Sequence, residues 1–135
     1  MNRIERFEDL LAWQEARALT CQIYRFGTTP SLQRDFGLRD QLQRAAVSVM
    51  SNIAEGFERI GNREKLHFMN IARASCAEVK SLLYVCLDNH HLDNPSVTGL
   101  QSRCTQISRL LSGLIRSVLR RIKPTATNTD CKHSF

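Results

Sequence analysis

Apolar residues recur at intervals of three and four along four stretches of this chain. The first seam is Ala12, Ala16, Leu19, Ile23 and Phe26, with Phe7 and Leu11 ahead of it. The second is Leu38, Leu42, Ala45, Val49, Ile53, Gly56 and Ile60. The third is Met69, Ala72, Cys76, Val79, Leu83 and Cys86, and the fourth is Val97, Leu100, Cys104, Ile107, Leu111, Leu114, Val118 and Ile122. Such spacing is that of a helix with one buried face, and no stretch alternates with the period of two that a strand requires. Breakers separate the stretches: Gly27 and Pro30, Gly61-Asn62, Asn94-Pro95 and Pro124. Asn94 reads as an N-cap with proline at the first helical position, and Pro124 stops what precedes it. The pattern predicts helices over about 7–26, 35–60, 62–89 and 95–122. With short connections these pack as an all-α, up-down-up-down antiparallel four-helix bundle spanning 1–124. Residues 125–135 carry no seam and read as a flexible tail.

The seams leave apolar residues over. Val47, Met50, Ala54 and Phe57 widen the second stripe, Leu82, Tyr84, Val85 and Leu87 the third, and Leu110, Ile115 and Leu119 the fourth. An isolated bundle needs about three apolar positions per heptad. The surplus predicts a homo-oligomer whose contacts cover it, with a wide stripe buried inside one bundle as the alternative.

The second helix also carries a polar stripe of Arg44, Ser48, Asn52, Glu55 and Arg59 at intervals of three or four, set among the small residues Ala45, Ala46, Ser51, Ala54 and Gly56. One reading is a ligand or nucleic-acid site. The other, which we favour, is a polar network fixing helix register or a subunit contact, with Arg73 of the antiparallel third helix pairing with Glu55. Gly56 inside a helix is unfavourable by about 1 kcal/mol relative to alanine, which points to close packing there.

Charge is uneven along the chain. Of 135 residues, 19 are basic and 13 acidic, a net +6. Residues 1–93 balance to zero, so the whole excess lies in 94–135, where Asp130 is the one acid. Arg103, Arg109, Arg116, Arg120, Arg121 and Lys123 decorate the fourth helix, and Arg109, Arg116 and Arg120 share a face. Unopposed cations of this kind suit a phosphate backbone, RNA or DNA. A solvated face whose last cations complement the helix dipole is the alternative.

Other chemistry finds little footing. The composition, 42% apolar and 24% charged, is that of a globular domain, which excludes a disordered or collagen-like chain. No apolar run approaches the roughly 20 residues of a membrane span, and no export signal follows the charged start, so a cytoplasmic location is expected. Five cysteines with no C-x-x-C pair argue against a disulfide scaffold or a zinc site. Glu64-x-x-His67 has the spacing of a di-iron ligand pair but lacks its companions, and His67 is expected to be exposed. His90-His91 is expected to complement a helix end. With no catalytic motif and no room in the connections for a cleft, the chain reads as non-enzymatic, with no metal and no cofactor.

Several segments carry a family resemblance: Phe7-Glu8-Asp9-Leu10, Trp13-Gln14, Arg44-Ala45-Ala46-Val47-Ser48, Ser51-Asn52-Ile53-Ala54-Glu55-Gly56 and Asn70-Ile71-Ala72-Arg73-Ala74-Ser75. Over about residues 7–120 the chain resembles the bacterial four-helix-bundle proteins encoded in intervening sequences of large-subunit ribosomal RNA genes. The accessory variability proteins of diversity-generating retroelements are related to them. The resemblance implies a ring-shaped homopentamer. In its accessory branch it also implies a basic protein that binds nucleic acid and partners a reverse transcriptase. The chain departs from the family at Met50, where proline is frequent. The expectation is therefore an oligomeric accessory factor that binds nucleic acid through a basic fourth helix. A scaffold for a protein partner, with no nucleic-acid role, is the alternative.

Overall fold

The structure, a computed structural model, describes residues 3–122. Lys123 and the expected tail at 125–135 lie outside the described residues. Five α-helices follow a 3-10 turn at Phe7–Asp9: α1 Leu11–Phe26, α2 Pro30–Arg34, α3 Phe36–Glu58, α4 Asn62–Asp88 and α5 Asn94–Arg121. No strand occurs among the described residues. The four long helices form a helical bundle in which α3 packs on α4, α4 on α5, and α1 on both α3 and α5.

The contacts fix the direction of each rod. Thr20 Oγ1 donates to the Ala46 carbonyl at 3.2 Å, and Phe7, ahead of α1, lies beside the end of α3 at Arg59. Ser48 meets Ser75, whereas Gly56 lies against Lys65 and Phe68. Arg73 reaches Ser112, and Lys80 reaches Thr105. In each pair one number rises as the other falls, so these neighbours run antiparallel.

The seams form the core. Leu19, Ile23, Leu42, Val49, Ile53, Val79, Leu83, Val97, Leu100, Ile107 and Leu111 are fully buried. Each contributes about 1.5–3 kcal/mol relative to exposure. Leu32 of α2, which belongs to none of the four seams, is also fully buried.

Boundaries depart from the periodicity in four places. The first helix begins at Leu11, not at 7, because Leu10 is extended (φ −73°, ψ 126°). The Gln14 side-chain amide then ties back to the Glu8 carbonyl at 2.9 Å. The connection at 27–34 holds the extra helix α2, started by Pro30. The second predicted helix stops at Glu58, since Arg59 is extended. Ile60, assigned to its seam, is 98% exposed. The last helix is capped by Asp93, not Asn94: the Asp93 carboxylate accepts from the Ser96 N–H at 2.8 Å. Asp93 has the extended backbone an N-cap needs, so Asn94 becomes the first helical residue. With a backbone N–H at Met50 in place of proline, α3 runs unbroken through that position.

The surplus apolar residues divide. Met50, Phe57, Leu82, Leu87 and Leu110 pack partly buried against the core, and Ile115 is buried. Val47, Tyr84, Val85 and Leu119 remain exposed, as do Leu11, Tyr24 and Phe36.

Candidate nucleic-acid interface

An open groove of about 560 Å³ runs between α4 and α5. Cys76 and Cys104 line it, together with Thr105, Ser108 and Ser112 of α5. The cations at the groove are Lys80, Arg109 and Arg116, and no carboxylate is among its lining residues. Arg73 joins them from α4 by donating to Ser112 Oγ at 3.4 Å and to Asn70 Oδ1 at 3.3 Å. Lys80 Nζ donates to Thr105 Oγ1 at 2.8 Å. These partners are neutral, so they orient the cations without cancelling their charge. Among the described residues none of the ion pairs involves Arg73, Lys80, Arg109 or Arg116. The thiols beneath are buried. Cys104, hydrogen bonded with Cys76 and desolvated, is held above the ordinary thiol range.

The basic residues expected on the last helix do not act as one set. Arg109 and Arg116 face the groove. Arg120 and Arg121 are exposed in the final turn, and Arg121 lines a separate apolar cavity with Arg3 and Lys65. Arg103 turns away from the groove and donates to Glu15 Oε2 of α1 at 2.7 Å. Its charge is thus neutralised at a half-buried site (31% and 23% side-chain exposure), and it ties α5 to α1.

The polar stripe on α3 is likewise divided. Ser48 and Ser75 share a hydrogen bond of 2.7 Å across α3 and α4. Asn52 Nδ2 donates to Ser48 Oγ at 3.0 Å and to the Ser48 carbonyl at 2.8 Å. Below them Gly56 lets the helices close: a Cβ there would meet Phe68 Cβ at 3.2 Å and the Lys65 carbonyl at 3.3 Å. Lys65 Nζ in turn donates to the Phe57 carbonyl at 2.7 Å, satisfying the end of α3. Burial and the nearby Arg121 lower the Lys65 pKa.

The outer members of that stripe take other partners. Glu55 does not meet Arg73; it accepts from Arg59 at 2.6 Å within the same helix. Arg44 pairs with Asp40 at 2.9 Å, with both side chains largely exposed. The reason is angular. Arg73 lies two residues from Ser75, about 200° around α4, so it faces α5 when Ser75 faces α3.

His91 also departs from the expectation of a residue that merely complements a helix end. Its ring is hydrogen bonded to Ser31 Oγ of α2 on one nitrogen and lies 3.0 Å from Asp35 Oδ2 on the other. Only 12% of its side chain is exposed. His90, at φ 58°, makes the left-handed turn that brings it there. The Ser31–His91–Asp35 chain pins the α2–α3 corner to the α4–α5 turn. Spacing along the chain gives no sign of it, since His91 lies 60 residues from Ser31 and 56 from Asp35. Charge and motif do not single out Lys80, Thr105, Ser108 or Ser112 either, although Lys80 follows Arg73 by seven residues and so shares its face. No group of three or more His, Cys, Asp or Glu arranged for a metal occurs among the described residues.

The fold and the site define a class: an antiparallel α-helical bundle whose last two long helices enclose a basic groove. Within that class the chain belongs to the 23S rRNA-intervening sequence protein family, whose model matches residues 8–113. A solved relative supports the fold. It is a protein of unknown function from the S23 ribosomal protein family of Bacteroides thetaiotaomicron VPI-5482, with a crystal structure at 1.70 Å. The two chains are 18% identical and superpose with a TM-score of 0.74, over 78% of this chain and 96% of that one. None of the curated proteins matches the chain. Among the described residues no helix is long and apolar enough to cross a membrane.

Proposed function

We propose that this is a non-enzymatic, self-associating bundle protein of the cytoplasm that binds the backbone of RNA or DNA as an accessory factor. The observation that carries the reading is the α4/α5 groove, where Arg73, Lys80, Arg109 and Arg116 gather around hydroxyl groups with no carboxylate among the lining residues. Phosphate contacts need cations that keep their charge and hydroxyls that donate, and a groove offering both recognises backbone without reading bases. The family resemblance, through the accessory branch related to it, makes a reverse transcriptase the protein partner we propose.

The exposed Tyr24, Val47, Tyr84, Val85 and Leu119 support the self-association we propose. Tyr24 and Val47 line one depression between α1 and α3. The homopentamer implied by the family resemblance has a mass of about 77 kDa from five 15.4 kDa chains. It multiplies a net charge of +6 to about +30, enough to draw a polyanion from solution. Light scattering reads that mass directly, and a monomeric mass removes the assembly.

The binding is tested by fluorescence anisotropy with labelled RNA and DNA. Affinity falls steeply with salt, and an Arg109/Arg116/Arg120→Ala variant loses it. Unchanged affinity in a folded variant removes the proposal. The same exposed apolar residues favour a second reading, a scaffold for a protein partner. Purification at low salt separates the two: co-purifying nucleic acid raises the 260 to 280 nm absorbance ratio only under the first.

A further inference from the structure

The groove differs from a basic patch in being linear. Two observed contacts set its register: Arg73 lies level with Ser112, and Lys80 level with Thr105. Along α5 the cations therefore follow one another as Arg116, Arg73, Arg109 and Lys80, supplied alternately by the two helices. The steps are four, three and four residues of α5, so the row is about 16 Å long with a mean step of about 5.5 Å at 1.5 Å per residue.

Duplex geometry does not match this row. Each strand of B-DNA advances about 3.4 Å per phosphate along the duplex axis. A duplex strand also turns about the axis once in about 10–10.5 base pairs, so it curves away from a straight row of cations. An extended single strand has neither restriction, and single-strand binders track the backbone with a charged groove, to which aromatic rings add stacking of the bases. The hydroxyls of Thr105, Ser108 and Ser112 lie along the same line, within reach of phosphate oxygens. The lining contains no aromatic ring, so bases have nothing to stack on and face outward.

We infer that the α4/α5 groove takes one unpaired strand of nucleic acid lengthwise, about three to four phosphates per protomer, and discriminates against duplex. This rests on the proposed backbone binding and goes further by naming the strand state.

The test compares a labelled 12-nucleotide oligo-dT and a 12-base-pair duplex by fluorescence anisotropy over a salt series, using the full chain. The single strand binds at least tenfold tighter at low salt. Its log–log salt slope is about −2 to −3, since each phosphate released from a single strand contributes about 0.7. Arg73→Ala and Lys80→Ala, both on α4, each weaken the single strand about tenfold and reduce the slope by about 0.7. Arg44→Ala, on the far flank of α3, changes neither. Circular dichroism confirms that each variant is folded. Equal or tighter duplex binding overturns the inference while leaving backbone binding standing. Single-strand binding that is insensitive to Arg73→Ala and Lys80→Ala in folded protein overturns the lengthwise groove. Failure to bind either oligonucleotide removes backbone binding and this inference together.

Discussion

Helix α4 has two long neighbours, and its two seams are built on opposite principles. Toward α3 the chain uses small residues and neutral hydrogen bonds: Gly56 admits Phe68 and the Lys65 carbonyl, and Ser48, Ser75 and Asn52 satisfy one another. Toward α5 it sets long cations on hydroxyls and leaves a groove open above buried thiols. A closed seam holds the rods in register, because a missing partner or an added methyl there has no solvent to turn to. An open seam gains little for the fold from like charges side by side, so its composition points to an external anion. Stability and binding should therefore separate by seam.

The largest expected effect breaks the open seam. Reversing Arg109 and Arg116 to Glu removes the two phosphate contacts proposed for them and introduces repulsion, with an expected fall in nucleic-acid affinity of about a hundredfold or more at low salt. Thermal melting changes little, because neither side chain is ion-paired among the described residues. A collapse in melting with binding intact would reverse the assignment of the two seams.

The closed seam answers to volume. Gly56→Leu forces a side chain against Phe68 and backbone, for a loss of about 1–3 kcal/mol in denaturant unfolding. Salt-dependent binding by the protein that remains folded is unchanged. Ser75→Ala is milder: Ser48 keeps its bond from Asn52, so the loss is about 1 kcal/mol. An unaltered unfolding midpoint in both variants would deny this seam its role.

Arg103 sharpens the comparison because the chain places it on the same helix as the groove cations while the fold gives it to α1. Arg103→Ala leaves Glu15 half-buried without its partner, destabilising the fold by about 1 kcal/mol. The salt slope of nucleic-acid binding stays as it was. A slope reduced as much as in the groove variants would return Arg103 to the binding surface.

Much of the bundle is legible in the amino-acid sequence. A 3.6-residue period places residues on a face, so the cores of α1, α3, α4 and α5 can be read from spacing alone. Period does not reveal α2: five residues beginning at Pro30 are too short to show it, and proline there reads as a breaker. Arg73 is matched to the wrong partner when height along the bundle is considered without azimuth. Ser75, Cys76 and Lys80 on the same helix hold enough angular information to send it to α5. The Ser31–His91–Asp35 pin is beyond the reach of periodicity, since it depends on a left-handed turn at His90 and on how the α2–α3 corner meets the α4–α5 turn. The groove is half legible. Arg109 and Arg116 stand out by charge, but Lys80 and the hydroxyls join them only through the register of α4 against α5.

The smallest effect concerns the start of α5 and is read in its pH dependence. Asp93 caps the helix, and its hydrogen bonds from Ser96 hold its carboxyl below the usual carboxylate range. A lowered folded value means that the native state favours the ionised form. The stabilisation is complete above the usual carboxylate range and disappears as pH falls through the folded value. Asn also caps a helix, but its amide does not titrate in this range. Asp93→Asn should therefore melt near the wild-type temperature at neutral pH and show a flatter decline between about pH 5 and pH 3. An acid limb as steep in Asp93→Asn as in the wild type would show that the cap carries no proton-linked stability.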